Sequence, residues 1–113
     1  MMLNISDIPD DENGAVLRRM LENGDDLTKP RMVDFNHVFK DEKDARLFSD
    51  AVKEMRIGEP EVAWEEEDHQ WNVIVCIFMK PEHAPITSIE KRLDTIASDF
   101  HGHADGWGCM EVQ

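Results

Sequence analysis

The segment EVAWEEEDHQWNVIVCIFMK, residues 61–80, decides the architecture of this chain. Two strand-like runs flank the polar pair Asp68 and His69, which is the pattern of a β-hairpin. In the second run Trp71, Val73, Val75, Ile77 and Met79 share one face, while Ile74, Cys76 and Phe78 share the other. Apolar residues on both faces mark a central strand, or a sheet whose second face is also covered.

Upstream, DEKDARLFSDAVKEM (41–55) reads as a helix. Asp41 suits its N-cap, and Ala45, Phe48, Ala51, Val52 and Met55 recur at helical spacing. Before it, RMVDFNHVFK (31–40) follows Pro30 and alternates, with Val33, Phe35 and Phe39 on one side and Asp34 and Asn36 between them. That is a strand with one buried face. DDENGAVLRRMLENGDD reads as a short first helix with Val16, Leu17, Met20 and Leu21 as its stripe, stopped by Gly24 at C′.

Downstream, the spacing predicts a helix from about Pro85 to Phe100. Ile86, Ile89, Leu93, Ile96 and Phe100 step by three and four, and Pro85 suits the first turn. ADGWGCMEV then closes as a last strand. The order is a helix followed by β-α-β-β-α-β, which predicts a ferredoxin-like α+β sandwich with an antiparallel sheet. Right-handed crossovers put both long helices on one face. The other face is left for the first helix, a second copy or a partner. Residues 1–10 are expected to be a flexible acidic N-terminus and 11–113 a single domain.

A chain of 113 residues, 41% of them hydrophobic, suffices for one domain with a real core. Its longest apolar run is VIVCIFM (73–79), far short of the roughly 20 residues of a membrane span. No secretory signal is visible at the start. Cys76 lies inside the apolar run, where a reduced thiol is expected, and the chain reads as cytosolic.

Charge is the strongest global feature. The formal net charge is −13, with acids concentrated in DIPDDE (7–12) and EPEVAWEEED (59–68). Phosphate recognition draws on Lys and Arg, so direct nucleic-acid or anionic-membrane binding is disfavoured. The bland reading is a solvated surface that keeps the protein soluble. The sharper one is a basic partner.

Few residues point to chemistry. In HGHADGWGC, His101, His103, Asp105 and Cys109 offer metal donors, but there is no CxxC or HExxH spacing. There is no nucleophile elbow and no P-loop, so an enzyme is not expected and neither is a cofactor. Phe35, Phe39, Trp71 and Phe78 lie on candidate central strands, as base-stacking aromatics do in RNA-recognition modules. The hairpin's EEED opposes phosphate, so these aromatics are assigned to the core. Asp105 and Gly106 suit a turn or bulge with positive φ, Gly108 a close backbone approach, and Trp107 a cover over the core edge.

Two longer stretches, ENGAVLRRMLENGDDLTKPRMVDFNHVFKDEKDA and MKPEHAPITSIEKRLDTIASDFHGHADGWGC, resemble the RraB family, regulators of ribonuclease E activity. The resemblance runs from about Asn13 to Val112. DGWG (Asp105, Gly106, Trp107, Gly108) is its most distinctive part, supported by GDD (24–26) and by Pro81, Glu82 and His83. Longer members carry an acidic C-terminal tail, whereas this sequence ends at Gln113, so the short single-domain branch is expected. The resemblance implies a ferredoxin-like fold and a bacterial, non-catalytic protein that binds RNase E, or another basic RNA-processing protein, and inhibits or modulates it. Candidate partner-binding residues are Asp10, Asp11 and Glu12 together with Glu65, Glu66, Glu67 and Asp68. The rival expectations are a small ligand- or metal-binding module at His101–Cys109 and a homodimer joined through open sheet faces.

Overall fold

The computed structural model describes residues 8–110 and 112, so residues 1–7 of the expected N-terminal tail, and Glu111 of the expected last strand, lie outside the described residues. The elements are α1 (Glu12–Glu22), β1 (Arg31–Phe39), α2 (Glu42–Met55), β2 (Glu59–Glu65), β3 (Gln70–Met79), α3 (His83–Ser98) and β4 (His103–Cys109). The four strands form one antiparallel sheet in the order β2-β3-β1-β4. This is the ferredoxin-like sandwich expected from the element order, with a helix in front.

One sheet face packs against all three helices. Val33 and Phe35 of β1 pair with Ile77 and Val75 of β3; Val33, Phe35 and Val75 join Leu17, Phe48, Val52, Ile86 and Leu93 in one core cluster, and the half-buried Ile77 packs against it. Burial of such side chains is the main source of stability, at roughly 1.5–3 kcal/mol each. α1 therefore lies on the helical face, beside α3, and does not cover the open side of the sheet. Ile8, placed by the sequence in the tail, is buried in this cluster, and its carbonyl accepts from Arg18 Nη2 at 2.7 Å.

Helix ends follow local chemistry. Asp11 caps α1 by accepting from the Gly14 N–H at 2.7 Å. The other end closes as a Schellman motif: Gly24 N–H donates to Leu21 and Asp25 N–H to Met20, both at 3.0 Å, with Gly24 at φ +88. Asp41 stands at the N-cap of α2, but its side chain makes no capping hydrogen bond. α3 begins two residues before Pro85, after the extended Glu82. Met55, assigned to the apolar stripe of α2, is an exposed residue at the helix end.

A buried ion pair fastens the chain end to the α1–β1 loop. Arg31 Nη1 meets Asp25 Oδ2 at 2.8 Å, both side chains nearly inaccessible, and also donates to the Met110 carbonyl at 3.0 Å. Its Nη2 donates to the Asp26 carbonyl at 2.8 Å. The Asp26 N–H donates to the Val112 carbonyl at 2.7 Å. β2 is an edge strand and contains Pro60, which has no N–H to offer a further strand.

Candidate protein-interaction site

Within the DGWG stretch, Trp107 ties β4 to α1. Asp105 is exposed, and Gly106 takes φ +92 where the β1–β4 register shifts between Phe35 and His37. That is the bulge expected there. Trp107 then pairs with Phe35 on the helical face and donates its indole N–H to Asn13 Oδ1 on α1 at 2.9 Å. Asn13 Nδ2 donates to Thr87 Oγ1 and Glu90 Oε1 on α3, both at 3.1 Å. Gly108 departs from expectation, because a Cβ there would meet nothing within 4 Å. It pairs with Asp34 on the open face rather than making a close approach.

His83 joins the same set of contacts. Its Nε2 lies 2.8 Å from Asp11 Oδ2, tying the start of α3 to the start of α1. The Gly14 N–H, and then His83, hold the Asp11 carboxyl below the usual carboxylate range. Asp11 is thus committed to structure. Asp10 pairs with Arg18 at 3.2 Å, and Glu12 stands exposed in the first turn of α1.

The hairpin acids divide in the same way. Glu65 Oε2 accepts from Asn72 Nδ2 at 2.8 Å and from Gln70 Nε2 at 3.2 Å, and Glu66 accepts the Trp64 indole N–H at 2.7 Å. Glu67 and Asp68 stay exposed at the tip and, among the described residues, make no ion pair. The two acidic groups are not brought together. α1 lies by α3 and β4, whereas the hairpin joins the opposite edge strand to β3.

The candidate donors in 101–109 are also dispersed. His101 Nδ1 sits 3.4 Å from Asp44 of α2, and His103 pairs with Val38. Cys109 pairs with Val33, two residues along β1 from Arg31, on the helical face, where burial pushes its thiol pKa up. Among the described residues, no group of three or more His, Cys, Asp and Glu is placed to hold a metal ion.

The open face of the sheet carries a pattern that the sequence reading missed. Met32 pairs with Phe78, and the Val33–Cys109 pairing brings Met110 alongside Met32. These three are 48%, 67% and 83% exposed, respectively. In the next row Asp34 pairs with Gly108 and Cys76, and Glu59 faces Cys76 from β2. Beyond it Ile74 is flanked by Asn36 and Glu61. No residue at these strand positions is Lys or Arg, and among the described residues Asp34, Glu59 and Glu61 make no ion pair.

The assignment of four aromatics to the core is thereby corrected for one of them. Phe35 and Phe39 are buried and Trp71 half-buried against Trp64, but Phe78 is on the surface. Hydrophobicity alone cannot say which face of a doubly apolar strand is covered. The outward parity of Met32, Asp34 and Asn36 was the available signal. At one end of the row a groove of about 400 Å³ opens between Met32, Ile57, Ile77 and Phe78, with Lys53 and Arg56 on its α2 side.

No helix among the described residues is long and apolar enough to cross a membrane. No curated protein matches the chain. The family model described as "Regulator of ribonuclease activity B" (RraB) matches residues 10–109, which takes in α1, the whole sheet and the DGWG stretch. The chain belongs to the RraB family of regulators of ribonuclease activity.

Proposed function

We propose that this protein is a non-catalytic regulator that binds the endoribonuclease RNase E through an acidic surface and lowers its action on RNA. Family membership supports regulation of a ribonuclease. The net charge of −13 is the observation that carries the mode of binding. A ribonuclease keeps basic surface for RNA, and an acidic domain is steered to that surface and competes for it.

Of the acids nominated from the sequence, Glu12, Glu67 and Asp68 are exposed and, among the described residues, make neither an ion pair nor a side-chain hydrogen bond, whereas Glu66 accepts from Trp64. They serve to accelerate the encounter. The test is cleavage of a labelled RNA by purified RNase E with and without this chain, at low and at physiological salt. Inhibition that fades steeply as salt rises is the expected result, since exposed charges are screened over about 8 Å at physiological ionic strength. Undiminished cleavage at low salt, with no complex formed, overturns the reading.

A further inference from the structure

The open face of the sheet combines two features. One is a row of large apolar side chains, Met110 just beyond β4, Met32 on β1 and Phe78 on β3. Exposed apolar rows of this kind mark interaction surfaces, and Met side chains adapt to what they meet. The other is the adjoining set Asp34, Glu59 and Glu61, with no cation among the strand positions of that face.

The charges select the occupant. A second copy laid face to face doubles the number of carboxylates confined to one contact, between two chains each already at −13. RNA brings phosphates to the same carboxylates, with one exposed aromatic to stack on. A basic polypeptide meets neither obstacle. Lys53 and Arg56 close the groove on the α2 side, so a bound segment is polar in its orientation. Its apolar side chain sits by Phe78 and its cations point across β1 and β2.

We propose that the open sheet face is the surface that holds the ribonuclease. Met32, Phe78 and Met110 receive an apolar side chain of a basic segment, and Asp34, Glu59 and Glu61 receive its Lys or Arg side chains. This rests on the reading that the chain binds a ribonuclease by charge. It assigns docking to the sheet, and leaves the hairpin tip to steer approach.

The test measures association and dissociation of the full chain with purified RNase E, for the wild type and four surface variants whose folding is checked by circular dichroism. Phe78→Ser, with Met32→Ser as a second probe of the row, is expected to speed dissociation tenfold or more while leaving the salt dependence unchanged. Glu59→Lys with Glu61→Lys is expected to weaken binding at least tenfold and flatten its salt dependence. Glu67→Lys with Asp68→Lys is expected to slow association and leave dissociation within twofold.

Wild-type binding that the face variants leave within twofold overturns the placement alone. Absence of wild-type binding at low salt overturns the proposed function and the placement with it. A wild-type dimer that Phe78→Ser converts to a monomer in sedimentation makes a second copy the occupant, and overturns the assignment to a basic segment.

Discussion

Trp107 on β4 and Asn13 on α1 are joined by an indole N–H···Oδ1 hydrogen bond of 2.9 Å across 94 residues of sequence. Asn13 spends its amide nitrogen on Thr87 and Glu90, so one side chain ties α1 to both α3 and the sheet. Trp107→Phe keeps most of the ring and removes the donor, leaving Asn13 Oδ1 unpaired. The expected cost is about 1–2 kcal/mol in urea denaturation. Combining it with Asn13→Ala is expected to cost less than the sum of the two, because they share one contact.

The Asp25–Arg31 pair is buried, so losing one member strands the other. Arg31→Met leaves the inaccessible Asp25 carboxylate uncompensated and frees the Met110, Asp26 and Lys29 carbonyls. Destabilisation of about 3–5 kcal/mol is expected. Adding Asp25→Leu is expected to recover part of this and no more, since the carbonyls stay unpaired. Thermal unfolding of the single and double variants measures both.

How much of this was legible beforehand depends on the range of the interaction involved. The apolar spacing of α2 and of α3 announces both helices, because a buried stripe repeats every three or four residues. The start of α3 was misplaced because a proline is tolerated throughout a first turn, and here it stands third. The Asp11–His83 and Trp107–Asn13 contacts join distant segments, so no local pattern encodes them. Asp11 was nominated as a partner-binding acid and Trp107 as a cover over the core edge, while His83 drew notice only within the family resemblance. Phe78 was misassigned because its hydrophobicity is the same whether its face is covered or open.

His37 was overlooked, although its parity with Val33, Phe35 and Phe39 pointed inward. It is 1% exposed, against Phe48 at 4.9 Å, with Nδ1–H donating to the Val73 carbonyl at 3.3 Å. Burial drives its pKa below 6.5; the Val73 carbonyl and Asp94 oppose this, and His103 adds to it. The unfolded chain therefore takes up a proton below about pH 6.5 that the folded chain refuses. Stability is expected to fall as pH drops from 7 towards 5, and His37→Leu is expected to flatten that slope in urea titrations. Asp11, with its lowered pKa, acts in a separate window: its contribution is present above the ordinary carboxylate value of 3.8 and is lost as pH falls through the folded one.

Cys76 on the open face is a poor nucleophile. The neighbouring Asp34 carboxylate, and then burial, push its thiol up from 9.0 to about 11. At pH 8 the thiolate fraction is then about 100-fold below that of an ordinary cysteine, and alkylation by iodoacetamide is expected to slow accordingly in the folded protein. Asp34→Asn removes the first cause and is expected to restore much of the rate, read by mass spectrometry at Cys76.

Pro60 lies in a strand whose outer edge has no neighbour among the described residues, and Glu59 and Glu61 stand on either side of it. A missing donor and two flanking carboxylates discourage another chain from adding a strand at that edge. Phe78, one strand inward, gives any such addition an apolar foothold, so colloidal stability depends on the net negative charge of the whole chain. As pH approaches the sequence pI of about 4.6, the repulsion fades while the foothold stays. Acidification towards that pH is therefore expected to favour association of the folded protein, which light scattering measures.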